Sequence, residues 1–416
     1  MMKFFIQLSI CFLFFILPFN ASSLGVLTHE AIIDATWEKS IVPLLKEKYP
    51  SSTAKEIKEA HSYAYGGAVA PDMGYYPFGS PLFTNLVHYV RSGEMIEALL
   101  KDAENINQYA FAIGFLSHYQ ADHYGHPLAT NRSVTLVYPK LKKKYGKTIT
   151  YAENKISHMR MEFGFDVLEV AKGNYATDTY HGYIGFKVDT AVLAKAFFET
   201  YGLDINDVFK HRLSLSVETF RWIASNVFPL ITKSAWVQKK DDILKQNTSA
   251  TAKTFRYRMH QKEYNKEFGK GYKRPGFFPS MLSFFIRVLP KVGPLRPLKF
   301  KPPTPQAEKY FTQSFDSIMF HYAANLKQLQ SPTINLKDID FDTGRPTAEC
   351  EYSLADETYQ TWLLKIKKDD FKNVSTSLKQ NILGFYNGMS ATQKYSKTCK
   401  ELFDAYTDLK NFSPAR

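Results

Sequence analysis

Two segments of this chain place metal-binding side chains at helical intervals. LSHYQADHYGHP holds His118, Asp122 and His126 four residues apart, and SHMRMEF holds His158 and Glu162 at the same interval. Four residues advance an α-helix by about 6 Å and about 40° beyond a full turn. The first three therefore lie along one slowly drifting face, and the other two share a face of a second helix. Imidazole nitrogens and carboxylate oxygens are the donors that zinc takes, and neither segment contains a thiolate. Such residues also suit an ordinary solvated face. Here Ala112, Ile113, Phe115 and Leu116 make the run into the first cluster apolar. Imidazole and carboxylate groups drawn into apolar surroundings need partners, and a metal ion is one.

Further donors lie upstream. Asp72 follows Pro71 in YGGAVAPDMGYYPFG, a Gly- and Pro-rich stretch expected to be a loop rather than regular helix. His88 sits in the short apolar segment FTNLVHYV, and His29 follows Leu24-Gly25-Val26-Leu27-Thr28. A lone histidine near apolar residues is usually a hydrogen-bonded structural residue. Together with the two clusters, however, these three give more nitrogen and oxygen donors than one zinc needs, a number that suits two or three ions. His61, His181, His211, His260 and His321 have no ligand-spaced partner and read as structural or exposed. His123 adjoins Asp122 but points to another side of its helix and is not counted as a ligand.

The elements that must position these groups read as almost entirely helical. Apolar residues recur at helical spacing through 29–46, 106–125, 151–171, 189–201, 205–235, 306–330, 357–369, 375–388 and 391–409. Strand-like alternation is nearly absent. Residues 178–188 are the one modest candidate and read better as a loop. The expected fold class is all-α. A Gly/Pro-rich stretch separates two helical blocks, dividing the chain into a catalytic domain at 24–268, a basic-aromatic connector at 269–305 and a helical C-terminal region at 306–416.

Residues 1–23 read as a secretory signal, with Lys3, an apolar run, and Ala21-Ser22-Ser23 as a small-x-small cleavage site. The apolar run is short and interrupted for a membrane span, and cleavage after Ser23 would leave Leu24 first on an exported chain. The 416 residues carry a net charge of +13, which falls by one when Lys3 leaves with the signal. That balance favours anionic surfaces such as membranes, polyphosphates or nucleic acids. Cys11 also leaves, and Cys350 and Cys399 are expected to form a disulfide in an oxidising compartment. Residues 262–302 hold ten Lys and Arg against Glu263 and Glu267, around the apolar run GFFPSMLSFFIRVLP. This stretch suits contact with anionic lipid, although a helix packed on the catalytic domain is the favoured reading.

The ordered set His29, Asp72, His88, His118, Asp122, His126, His158 and Glu162 resembles the zinc-dependent phospholipase C family. The resemblance rests on LGVLTHEAI, GGAVAPDMGYYP, NLVHYV, GFLSHYQADHYGHP and HMRMEFGFDVL, and covers roughly residues 24–170. Within the family it runs closest to the catalytic domain of glycosylphosphatidylinositol-specific phospholipase D. The resemblance implies an all-helical domain with three zinc ions in a cleft. One ion would be held by Asp72, His88, His118 and Asp122, and a second by His126, His158 and Glu162. The third would be held by His29, Asp122 and the amino nitrogen and carbonyl oxygen of the first mature residue. The five-residue interval from Leu24 to His29 matches the family's spacing from first residue to histidine, which agrees with the cleavage site. Bacterial members usually begin with Trp, but chelation uses backbone atoms, so Leu24 can serve.

The implied reaction is phosphodiester hydrolysis by a zinc-activated water, with Asp122 bridging two ions and Asp72 either a ligand or the acceptor of the nucleophile's proton. Glu162 matches the phospholipases, where the related single-strand zinc nucleases usually carry Asp. The short interval from Asp122 to His126 resembles the phospholipase D branch. Two aromatic residues that face choline in bacterial enzymes are replaced here by Met73 and Asn85. The expected substrate is therefore a phospholipid or membrane surface, cleaved in the manner of a phospholipase C or D, with no obligate protein partner. A single-strand nuclease or 3′-nucleotidase on the same metals is the alternative. A non-catalytic, metal-stabilised secreted binding protein is the alternative of another class.

Overall fold

The computed structural model describes residues 25–172, 174–175, 185–224, 241–245, 299–331, 334–387 and 397–414, excepting the side chains of 397–399. The signal segment, Leu24, and the stretch 262–298 lie outside the described residues. Among those described the fold is all-α. The one β feature is an isolated antiparallel bridge between Ile339 and Pro346.

The chain begins with α1 (Val26–Thr36), passes through a π-turn at Trp37–Ile41 and continues as α2 (Val42–Lys48). The helix expected over 29–46 is thus interrupted at its middle. Pro43, near the start of α2, lacks the N–H that a regular ladder would use there. Next comes α3 (Ala54–Val69), entered through a reciprocal capping box between Thr53 and Glu56. A 3₁₀ turn at Ala70–Tyr75 leads to α4 (Pro81–Tyr89), capped by Ser80, and then to α5 (Ser92–Asp102).

The centre of the molecule is α6 (Ile106–Gly125), whose first amides are capped by the Asn105 side chain. It is buried on nearly every side and packs most closely on α3. Two glycines make that approach possible, and a third lets α3 meet the chain at Lys187. An ideal Cβ on Gly67 would stand 2.0 Å from the Phe111 carbonyl oxygen, one on Gly114 would stand 2.0 Å from that of Ala64, and one on Gly66 would stand 1.6 Å from that of Lys187. This corrects the reading of YGGAVAPDMGYYPFG as a loop. Its first five residues complete α3 and the next six form the 3₁₀ turn. The Gly-Gly pair there serves close backbone approach, Gly67 to α6 and Gly66 to Lys187, rather than chain reversal.

A second π-turn, His126–Thr130, leads to α7 (Asn131–Val137), α8 (Pro139–Tyr145) and α9 (Tyr151–Ala171), the last entered through a Thr150–Glu153 capping box. Then come α10 (Thr190–Tyr201), ended by left-handed Gly202, α11 (Ile205–Val208) and α12 (Leu213–Trp222). The single helix expected from 205 is broken where Lys210 and His211 both take positive φ. The chain continues as α13 (Pro305–Gln328), α14 (Ser353–Lys368), α15 (Thr376–Phe385) and α16 (Lys397–Asn411).

One apolar cluster runs from Val26 to Leu409, so the C-terminal helices share their core with the N-terminal ones. Tyr322 of α13 donates to the Ile113 carbonyl of α6 at 3.0 Å, and Trp362 of α14 donates to the Tyr201 carbonyl at 2.8 Å. Fully buried side chains of this size each contribute about 1.5–3 kcal/mol. The expected Cys350–Cys399 disulfide is not formed. Cys350 is free and exposed, in a left-handed turn pinned by its N–H to Asp356. The side chain of Cys399 lies outside the described residues.

Candidate metal centre

Helix α6 supplies the axis of the site. His118 and Asp122 stand one turn apart, with His118 Nε2 3.1 Å from Asp122 Oδ2. His126 begins the π-turn that follows, next to Pro127. The wider turn leaves His126 Nε2 3.8 Å from Asp122 Oδ1, on the other side of the same carboxylate. From α1, His29 stacks flat on His118, with ring centroids 4.4 Å apart, and brings its Nε2 to 3.6 Å from Asp122 Oδ1. The 3₁₀ turn presents Asp72 and α4 presents His88. His88 Nε2 lies 3.3 Å from Asp72 Oδ1 and 3.6 Å from Asp122 Oδ2. From α9, His158 Nε2 lies 2.8 Å and His126 Nε2 3.1 Å from Glu162 Oε1. All eight side chains are buried.

Hydrogen bonds on the far side of three rings fix which nitrogen faces inward. Nδ1 of His88 donates to the Thr84 carbonyl at 2.8 Å, and that of His118 to the Ala68 carbonyl at 2.9 Å. Nδ1 of His126 lies 3.1 Å from the Phe341 carbonyl. A neutral ring that donates from Nδ1 carries its lone pair on Nε2, the arrangement a metal ligand needs.

The inward-facing atoms form three groups, each with its donor atoms within 4.8 Å of one another: His29, His118 and Asp122; Asp72, His88 and His118; and His126, His158 and Glu162. Both oxygens of Asp72 and of Asp122, with Nε2 of His126 and of His158, are buried with no aligned hydrogen bond, although imidazole and carboxylate atoms of the site approach them. Nε2 of His88 and Nε2 of His118 face each other at 3.3 Å. Lone pairs turned toward lone pairs inside a dry core are costly, and a cation between them removes the cost. The nitrogen and oxygen donors present fit zinc.

The electrostatics of these groups are strongly coupled. Burial lowers His29 well below the ordinary histidine value, with His118 adding to the effect. Burial also opposes charge on His118 and His126, but Asp122 and the other nearby carboxylates overcome it and raise both. Burial opposes charge on Asp122 too, yet the surrounding imidazoles hold it well below the usual carboxylate range. Asp72 shifts the other way, raised by burial in spite of His118 and His88.

Sequence spacing missed Asp166. It continues the series His158, Glu162 at the same four-residue interval, and that interval was the available signal. Its carboxylate reaches across to the start of α1. It accepts from the N–H groups of Leu27 and Thr28, both at 3.1 Å, and from the Thr28 hydroxyl at 2.8 Å. Two of the first amides of the helix are thereby bonded by a residue on another helix, the one at Thr28 in addition to its bond to the Gly25 carbonyl. Gly25 lies so close that a Cβ there would stand 2.1 Å from Asp166 Oδ2. Burial pushes the Asp166 carboxyl up to about 7 despite these bonds. Tyr75 and Tyr151 were also missed. Their rings lie 6.3 Å from His88 and 5.7 Å from His158.

Each side chain expected at the site by its residue type is therefore gathered there, and Leu24 lies outside the described residues. His123 packs on Tyr124 at 4.3 Å, away from the groups. His61 is 3.0 Å from Asp34 and stacks on Trp37, and His211 is exposed beside Asp207. His321 stacks on Tyr124, while His181 and His260 lie outside the described residues. Met73 is buried in the core and Asn85 is half-buried.

Comparison with known proteins gives one match. Residues 28–210 fit the family model described as zinc dependent phospholipase C. No curated protein and no solved structure matches the chain.

Proposed function

Residues 28–210 belong to the zinc-dependent phospholipase C family, a family of hydrolases, and from that premise we propose that this chain is an exported phosphodiesterase that cleaves phospholipid head groups at a three-zinc site. The observation that carries the reading is that each of three adjoining donor groups brings a histidine within 3.8 Å of one carboxylate, Asp122. A structural zinc site is usually closed by four ligands. Here the groups adjoin one another, as a centre that handles a bridging phosphate requires.

Zinc, when bound, supplies Lewis acidity toward phosphoryl oxygens and lowers the pKa of water toward ~7. The residues of the chain do the rest. His88, His118 and His126 hold fixed tautomers and present Nε2 without rearrangement. Asp72 Oδ1 faces His88 at 3.3 Å, and its carboxylate would either hold zinc or accept the proton of the nucleophile. Cleavage on the glycerol side of the phosphate would release diacylglycerol, and cleavage on the other side would leave phosphatidic acid. The absence of the two choline-facing aromatics, replaced by Met73 and Asn85, favours a head group other than choline.

Parallel assays on phosphatidylcholine, phosphatidylinositol and single-stranded DNA test this reading. Zinc-dependent turnover of phosphatidylinositol above phosphatidylcholine, with little on DNA, is the expected result. Turnover of DNA alone would replace the lipid reading with a nuclease. Turnover of none of the three would leave a metal-stabilised binding protein.

The third zinc gives a second test. Removal of residues 1–23 would free the amino group of Leu24, one residue before Gly25 and its contact with Asp166. A retained residue before Leu24 moves the terminal amine by up to about 3.8 Å and turns the old one into an amide, a poor donor. Elemental analysis should find close to three zinc ions per chain with a free Leu24, and close to two with a tag left on it, alongside a marked loss of turnover. Equal zinc content and equal turnover in the two forms would rule out the amino-terminal ligand.

A further inference from the structure

We infer that the hairpin at residues 338–347 is a working part of the metal centre, and that Asp342 at its tip is a positioning residue that holds His126 in ligand geometry. The inference rests on the zinc reading proposed above, and it concerns residues well beyond the segment that fits the family model.

Asp342 is buried, and both of its carboxylate oxygens are engaged. Oδ1 lies 3.1 Å from Nδ1 of His126. Oδ2 accepts from the Tyr89 hydroxyl at 2.8 Å and from the Tyr352 hydroxyl. Its main-chain oxygen accepts from Nδ2 of Asn131 at 2.7 Å, just past the π-turn that carries His126. The carboxylate cannot rotate without breaking one of these contacts, so its direction is set before any metal arrives. It meets the side of the imidazole remote from Nε2, and the ring therefore separates it from the ligand groups. This is the relation of a second carboxylate to a zinc-bound histidine. Together with the Phe341 carbonyl, which is also 3.1 Å from Nδ1, it fixes the tautomer and the ring plane, and its charge makes Nε2 a stronger donor.

The neighbouring residue acts on the other two rings. The Phe341 N–H donates to the His88 carbonyl at 3.2 Å, and its ring lies 5.0 Å from that of His88 and 5.8 Å from that of His118. The hairpin is built to hold this pose. Oδ1 of Asp340 accepts from the N–H groups of Asp342 at 3.0 Å and Thr343 at 2.8 Å. Gly344 takes φ +69°, and a Cβ there would stand 2.6 Å from the His123 carbonyl oxygen. At the base, Ser92 bonds both the N–H and the carbonyl of Ile339, and the Gly93 N–H donates to Asp338 at 3.0 Å. Contacts to α4, α5, α6 and α7 thus converge on one short turn.

The test uses the full chain with Asp342→Asn, Asp342→Glu and Tyr352→Phe, dialysed against graded free zinc set by a chelator, with bound zinc read by elemental analysis and the folded state by circular dichroism. In Asp342→Asn an amide N–H faces either the Nδ1 hydrogen or a tyrosine hydroxyl. One ion should then leave at a free zinc concentration about 10–100-fold higher than in the parent, while the remaining zinc stays. Asp342→Glu should recover part of that loss. A purely structural role would lower the melting temperature of the zinc-free chain and leave zinc retention unchanged. Unchanged retention in a folded Asp342→Asn therefore overturns the inference. If that variant does not fold, Tyr352→Phe decides, since it keeps the carboxylate but removes one of its two anchors. A several-fold loss of retention supports the inference, and none overturns it. A parent chain that binds no zinc would instead refute the zinc reading itself.

Discussion

Replacing Asp122 with Asn is expected to remove nearly all hydrolysis and to release more than one zinc ion. Its two oxygens face different groups: Oδ2 toward His118 and His88, Oδ1 toward His29 and His126. Asn keeps the shape of the side chain but presents one neutral oxygen and an N–H₂ that repels a cation. Substitution of a group that merely supports a ligand costs about 10–100-fold in metal affinity or activity. Asp122 lies inside one donor group, and His88 and His126 of the other two stand within 3.8 Å of its oxygens, so its loss should exceed about 100-fold in turnover. The surrounding imidazoles also lose the carboxylate that opposes their desolvation. Zinc content and turnover measured on the same preparation check the expectation. If both stay near the parent level, Asp122 is not the shared ligand.

Gly67→Ala should destabilise the fold strongly, although helix propensity argues the opposite. Ala is favoured over Gly within a helix by about 0.8–1.0 kcal/mol. Against that, the new methyl would lie 2.0 Å from the Phe111 carbonyl oxygen, which is backbone and cannot turn aside. Overpacking of a tight core costs about 1–3 kcal/mol, and more where helices must part. A clash this short with backbone sits at the upper end of that range, so packing wins and the net loss should be about 2 kcal/mol. The damage also reaches the site, because separating α3 from α6 stretches the bond from His118 to the Ala68 carbonyl. Gly384→Ala is the control, since Gly384 is exposed on α15 and a Cβ there meets nothing within 4 Å. Thermal melts should show Gly67→Ala well below the parent and Gly384→Ala slightly above it. A neutral Gly67→Ala would contradict the close helix contact.

The side-chain donors were legible because helical spacing makes residues four apart share a face, and because few other roles demand so many buried imidazoles. The all-α class and the long helices α6, α9 and α13 were legible from the same periodicity. The short helices α4, α5, α7 and α8 were not, since elements of a few turns carry too few apolar repeats to declare a period. Helix α3 was hidden because its glycines read as turn residues, and their use appears only when a neighbouring backbone is placed against them. Asp166 carried the right spacing but bonds amides rather than a ligand. Asp342 carried no signal, because apart from Tyr352 its partners His126, Tyr89 and Asn131 lie in a distant part of the chain.

That distance has a consequence for biosynthesis. Phe341 and His126, joined through a single hydrogen bond, are 215 residues apart. A ribosome adding about 5–20 residues per second makes Glu162, the last side-chain donor, about 10–40 s before Asp342. Throughout that interval the nascent chain displays a full complement of imidazoles and carboxylates with no hairpin to orient them. Ions captured then would meet a His126 free to offer either nitrogen. Correct loading is therefore tied to completion of the polypeptide.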